Sequence, residues 1–331
     1  MIRTTVVGSY PIPSWLPVAR SSEGLRDAVL AVLKTQELAG LDVISDGELS
    51  RFDVNHPETN GMIDYFLAPM AGVDVRPTRE DIDAFRAEEV SEYRKEPAAI
   101  LRGEIGEGRL DLRRDWELVS GLTTSTLKFT CTGPHMLSKV LVDRHYHDPV
   151  KLALEIAEVL RRQIESVDAP VVQIDEANIP GAPEESEWAA RAINHVLSAA
   201  KGEKAVHVCF GNYGGQTVQS SHWAKMLAFL DALEADYLVL ECARRPREEV
   251  DALADVRKDM GLGIGVVDIK DNQVESPEDV ARSIERIAKT LGGPERIRYV
   301  HPDCGFWMLK RNVADAKMRS IVAGRDLYEG R

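Results

Sequence analysis

The stretch "VVQIDEANIPGAPEESEWAARAINHVLSAAKGEKAVHVCF", residues 171–210, decides the fold. It opens on a β-branched run, "VVQID" (171–175), and crosses a turn rich in Pro and Gly. It continues as a helical pattern, "SEWAARAINHVLSAAKG" (186–202), and ends on a second apolar run, "AVHVCF" (205–210). Short apolar runs bounded by turn residues read as buried strands, and a helix between two of them is the crossover that parallel strands require. The alternation repeats outward in both directions. "TTVVG" (4–8), "DVISD" (42–46) and "LKFTCT" (127–132) come before it; "YLVLEC" (237–242), "GIGVVDI" (263–269) and "IRYVH" (297–301) come after. Helical patterns fill 21–40, 148–167 and 276–293, the last with Ser276 as N-cap and Pro277 at the first helical position. Eight strands alternating with helices predict an α/β chain folded as a (β/α)8 TIM barrel, with a doubly wound open sheet as the alternative. The charged, Pro-rich region 50–125 reads as a long insertion after strand two, with helices and a small hairpin, covering the site. The whole of 1–331 is expected to be one domain.

Composition narrows the function. The chain has 331 residues, 44% hydrophobic and 29% charged, and a formal charge of -13 from 54 acids against 41 bases. That surface repels nucleic acid and anionic lipid, and no Lys/Arg run offsets it. No apolar run approaches the roughly 18 residues of a membrane span. The N-terminal "MIRTTVVGSYPIP" lacks the apolar core of a signal peptide. Cys131, Cys209, Cys242 and Cys304 are far apart and are expected to be reduced thiols in a cytoplasmic protein.

In a barrel of this kind the C-terminal strand ends build the active site. Acids, thiols and a histidine gather there. Strand side chains alternate, so His207 and Cys209, two apart in "HVCFGN" (207–212), share a face and can reach one metal. Cys304 in "HPDCG" and Glu241 in "LECARR" stand at neighbouring strand ends and can add a second sulfur and an oxygen. Imidazole and thiolate are the usual partners of zinc. Periodicity alone leaves core packing of the same residues open.

The motifs "TTVVGSYP", "GLDVISDGE", "CTGP", "QIDE", "HVC", "LECARR", "GVVDI" and "HPDCG" follow one another from residue 3 to about 307. In that order the chain resembles the catalytic C-terminal barrel of cobalamin-independent methionine synthase, within the superfamily that includes uroporphyrinogen decarboxylase. The resemblance implies Zn2+ held by His207, Cys209, Glu241 and Cys304, and homocysteine contacted by Ser9, Glu48 and Asp175. It also shows departures. The family's N-terminal barrel has no counterpart in these residues. "YRKEPAAILRGEIGEG" (93–108) stands where the family has a Gly-Ser-Arg-Cys segment, Ala177 replaces a proline, and Lys270 replaces the histidine of "DIHS". Folate needs an acid to protonate its leaving nitrogen, and a lysine is a poor one. The expectation is therefore a zinc-dependent homocysteine S-methyltransferase with His207, Cys209, Cys304 and Lys270 as catalytic residues. Its expected donor is a corrinoid, methylcobalamin or a corrinoid protein, in place of polyglutamyl folate. The alternatives are another zinc-dependent thiol alkyltransferase, such as epoxyalkane:coenzyme M transferase, and a non-catalytic zinc- or metabolite-binding barrel. Asn55 and His56 in the insertion are candidates for pocket or loop-ordering roles.

Overall fold

The computed structural model describes residues 1–18, 21–51, 60–87, 94–212, 217, 219 and 221–331. In chain order its strands are β1 (Arg3–Thr4), β2 (Ala71–Asp74), β3 (Ala99–Gly106), β4 (Lys128–Thr132) and β5 (Leu141–Asp143). They continue with β6 (Val171–Glu176), β7 (Glu203–Val208), β8 (Tyr237–Leu240), β9 (Gly261–Val267) and β10 (Ile297–Pro302). Seven of them form one parallel sheet in the order β1-β10-β9-β8-β7-β6-β4. The gap between β1 and β4 is filled by residues 43 and 44: Thr5 bridges Val43 and Ile44 bridges Leu127, both parallel. The sheet therefore curls round into the barrel that the eight predicted strand positions require, and the doubly wound alternative falls. The 42–46 stave makes only single bridges. At its start the Asp42 side chain replaces ladder bonds, accepting from the Thr4 backbone N–H at 2.7 Å and its hydroxyl at 2.9 Å.

Helices Ser22–Ala39, Pro149–Glu165, Ser186–Leu197 and Pro277–Leu291 occupy the predicted positions. Local chemistry sets their ends. Ser276 and Asp279 form a reciprocal capping box in front of Pro277, and Gly292 at φ 83° closes the same helix in the left-handed conformation. None of the described helices is long and apolar enough to cross a membrane.

The barrel interior is layered. Val171, Ala205, Tyr237, Val239 and Tyr299 pack with Val7 and Val43 as a separate apolar cluster. Because side chains alternate, the next inward residues up the same strands are Gln173 and Asp175, His207, Glu241, and His301 and Asp303. An apolar floor thus carries a polar upper layer. On β9 two glycines make room for it: a Cβ at Gly263 would lie 3.0 Å from the His301 ring, and one at Gly265 would collide with the Asp303 carboxylate.

The insertion contains helices Asp64–Leu67, Arg79–Ala87 and Leu112–Ser120 and the antiparallel pair β2 and β3. β5 adds parallel to β3 from beyond the expected 50–125 window, making a three-stranded side sheet. β3 falls within the segment that departs from the family motif, and its Ile100 packs with Phe85 and Val142. Two contacts tie the insertion to the top of β4: Arg51 donates to the Thr130 carbonyl, and the Thr132 hydroxyl donates to the Met62 carbonyl at 2.6 Å. Asn55 and His56 lie outside the described residues.

Candidate metal and substrate site

His207 is 2% exposed near the end of β7. Its Nδ1 lies 2.9 Å from the Val239 carbonyl, which can only accept, so Nδ1 carries the proton and Nε2 keeps its lone pair. That Nε2 is buried and has no hydrogen-bond partner among the described residues. Beside it the Cys209 and Cys304 sulfurs are 3.9 Å apart. One ligand atom from each of these three residues lies within 4.8 Å of the others, a cluster that could hold a metal ion. The hydrogen bond between the sulfurs holds Cys304 well below the usual thiol range and pushes Cys209 well above it. The pair therefore shares one proton.

Glu241 is outside this three-residue cluster. Its carboxylate accepts from the Phe210 N–H at 3.3 Å and from Lys270 Nζ at 3.3 and 3.4 Å. Both side chains of this ion pair are almost fully buried, 1% and 2% exposed. Burial raises the Glu241 carboxyl above its ordinary range, against the opposing pull of Lys270. Asp303 braces the same corner. It accepts the N–H groups of Cys242 at 2.9 Å, Ala243 at 2.8 Å and Arg244 at 3.0 Å. That carboxylate joins the strand end bearing Cys304 to the one bearing Glu241.

The three residues expected to contact the amino-acid substrate converge on the same rim. Glu48 is one of two non-glycine residues with positive φ among the described residues, at 60°, after Gly47 at 72°. Asp46 holds this turn by accepting the Glu48 N–H at 2.9 Å. The turn swings the Glu48 carboxylate over Gly8, where any Cβ would collide with it, and onto the Thr130 hydroxyl at 2.7 Å. Ser9 lies against the loop that carries Cys304: its carbonyl accepts from Phe306 N–H at 2.8 Å. Asp175 is the register partner of His207 on the adjacent strand. Gln173 Nε2 donates to its Oδ1 at 2.6 Å. Burial pushes the Asp175 carboxyl up to about 7, against the pull of His207.

Sequence reasoning missed four contributors: Lys128, Gln173, Arg51 and Asp303. A signal existed for the first two. Lys128 stands inside the apolar pattern "LKFTCT", and Gln173 shares the inward face of "VVQID" with Asp175.

Residues 2–325 match the family described as cobalamin-independent synthase, catalytic domain. The methionine synthase of Thermococcus kodakarensis is 30% identical, across 99% of this chain and 93% of that protein. That of Sulfurisphaera tokodaii is 29% identical, across 98% and 91%. Among solved structures, a B12-independent methionine synthase from Shewanella sp. W3-18-1 in complex with selenomethionine has a TM-score of 0.82 at 22% identity, covering 100% of this chain and 98% of that one. At that identity the likeness speaks for the fold. The family match overturns the expectation of a corrinoid donor, since the matched family is cobalamin-independent. The inference from Lys270 failed for a physical reason. Its ammonium is the buried counter-ion of Glu241, so its presence is accounted for without reference to the methyl donor. The chain belongs to the cobalamin-independent synthase family, spanning its catalytic domain, and is a methyltransferase.

Proposed function

We propose that this chain makes methionine by transferring a methyl group to the sulfur of homocysteine, using zinc held by His207, Cys209 and Cys304 with Glu241 as the adjacent carboxylate ligand. The observation that carries the reading is the buried, unpartnered Nε2 of His207 facing two sulfurs. Imidazole nitrogen and thiolate sulfur are the donor set that zinc prefers. When bound, the zinc keeps a coordinated substrate thiol ionised at neutral pH, where a free thiol is mostly protonated.

This chain's own residues supply the rest. Two thiolates and a carboxylate make the site electron-rich, which suits a nucleophilic sulfur better than hydrolysis. Lys270 offsets the Glu241 charge from 3.3 Å. Glu48 and Asp175 flank the cluster and would take the substrate ammonium, supplying the counter-charge that burial withholds from Asp175. Ser9 borders the same space. The named relatives, methionine synthases, support homocysteine as acceptor. An N-methyl folate is the donor class that accords with a cobalamin-free reaction: its N–CH3 bond breaks as the S–CH3 bond forms, and the nitrogen takes a proton. We read residues 1–331 as one zinc-dependent barrel domain, with the 50–125 insertion beside the site.

The test is methionine formation by zinc-loaded protein from homocysteine and N5-methyltetrahydrofolate, mono- and polyglutamylated. The comparator acceptor is 4-mercaptobutanoate, which lacks only the amine. Methionine formation with a strong preference for homocysteine is expected. No methionine from any folate donor, or equal rates with both thiols, would overturn the proposal.

A further inference from the structure

Lys128 is a buried lysine in direct contact with no carboxylate; Asp175 and Glu48 act on its charge only from a distance. It is 3% exposed, at the start of β4, and forms no ion pair among the described residues. A lysine is rarely buried this deeply unless paired, because its ammonium loses hydration that neutral partners replace only in part. What its Nζ does have is two acceptors: the Val6 carbonyl and, at 2.7 Å, Gln173 Oε1.

What that second contact does depends on the orientation of the Gln173 amide. A glutamine amide has a donor end and an acceptor end, and rotating it by half a turn exchanges them. The Val7 carbonyl only accepts, so the amide end 3.0 Å from it is Nε2, and Oε1 faces Lys128. Nε2 then faces the other way with two hydrogens, and both are used: one reaches the Val7 carbonyl at 3.0 Å, the other Asp175 Oδ1 at 2.6 Å. The turned amide would set Oε1 against the Val7 carbonyl, acceptor against acceptor. The chain Lys128, Gln173, Asp175 therefore runs in one direction. It anchors one oxygen of Asp175 from behind, while Oδ2 has no hydrogen bond among the described residues.

We propose that Lys128 is a positioning residue for substrate binding: through Gln173 it sets the Asp175 carboxylate to receive the substrate ammonium. The proposal rests on the amine-binding role given above to Asp175. Burial pushes the Lys128 ammonium down to about 7, against the pull of Asp175 and Glu48.

The test measures equilibrium binding of homocysteine and of 4-mercaptobutanoate to zinc-loaded wild type, Lys128→Met, Gln173→Met, the double variant and Asp175→Asn. Zinc content is checked for each. The expected result is a roughly tenfold weaker homocysteine affinity in each single variant, from a lost hydrogen bond to a charged group. Affinity for 4-mercaptobutanoate and zinc content should stay at the wild-type level. The double variant should lose no more than Lys128→Met, because both changes break one chain. If Lys128→Met does not fold, Gln173→Met alone must still show the amine-selective loss. Equal losses for the two thiols in the Lys128 and Gln173 variants, or additive losses in the double variant, would overturn the relay. If Asp175→Asn also fails to discriminate between the thiols, the amine-binding reading itself fails; if it does discriminate, only the relay does.

Discussion

Two buried histidines of this chain have opposite surroundings. His135, in the short helix Pro134–Ser138 after β4, lies between two carboxylates, with Nε2 2.8 Å from Glu185 and Nδ1 3.2 Å from Glu176. Lys139 secures Glu185 at 2.9 Å, and Trp188 packs against the ring with centroids 4.8 Å apart. Burial opposes charge on the His135 ring, but the two carboxylates outweigh it and push the imidazole up to about 9. His207, equally buried, gives one nitrogen to a backbone carbonyl and presents the other, unpartnered, to two sulfurs. Burial alone does not mark a ligand. What separates the two is what faces each ring: a carboxylate stands opposite each nitrogen of His135, whereas the second nitrogen of His207 faces two sulfurs. His135 sits in a structural ion cluster; His207 presents its Nε2 to the Cys209 and Cys304 sulfurs.

The largest expected effect tests the first half of that contrast. His135→Leu leaves Glu176 and Glu185 without their imidazolium, and removing one partner of a buried ion pair costs roughly 3–5 kcal/mol. Denaturant unfolding should show that loss with zinc content unchanged. His207→Leu should do the reverse: it gives up one hydrogen bond, about 1 kcal/mol in the metal-free protein, but most of the zinc. Exchange of the two outcomes would break the comparison.

The pH dependence follows from the same ring. The folded-state value of His135 is raised, so the folded protein binds its proton more tightly than the unfolded chain. The resulting stabilisation is complete below the ordinary histidine range and is lost as pH rises through about 9. It should amount to something on the order of 3 kcal/mol, and the unfolding free energy of His135→Leu should lack this decline between roughly pH 6.5 and 9. A decline that persists in the variant would assign it to other groups.

Asp175→Asn addresses the neighbour of the other histidine. It should weaken homocysteine binding by about 1.5–3 kcal/mol, measured by calorimetry, and leave a thiol without the amine unaffected. The smallest effect sharpens the account of His135. Glu185→Gln keeps a hydrogen-bond acceptor near Nε2 but drops a charge that is partly exposed, while Glu176 remains. A stability loss of about 1 kcal/mol is expected, and a loss as large as that of His135→Leu would mean that Glu185 alone holds the cation.

The barrel was legible because its strands are buried on both faces and read as continuous apolar runs, such as "VVQID" and "YLVLEC". Even the 42–46 stave was found, although it makes only isolated bridges. β5 was not: "LVD" is three residues long, and its partner β3 lies far back in the chain. The meeting of His207, Cys209 and Cys304 was legible from the period-two spacing of the first two and the strand-end position of the third. Spacing cannot say which cation reaches a carboxylate, so the pairing of Glu241 with Lys270 stayed hidden, and Lys270 was misread as evidence about the donor. Lys128 was missed for a related reason. A lysine within a strand pattern reads as solvent-facing until closure of the ring shows that it points inward.

The central claim is that His207, Cys209 and Cys304 bind a metal to which the substrate thiol is then added. Cobalt(II) in place of zinc tests this most directly, because cobalt–thiolate bonds give a sulfur-to-metal charge-transfer absorption. The account predicts that band in the wild type, a weaker band in Cys209→Ser and Cys304→Ser, and a stronger one when homocysteine joins as a further thiolate, with no such rise on adding methionine. A cobalt spectrum without thiolate absorption, or one that homocysteine leaves unchanged, would contradict it.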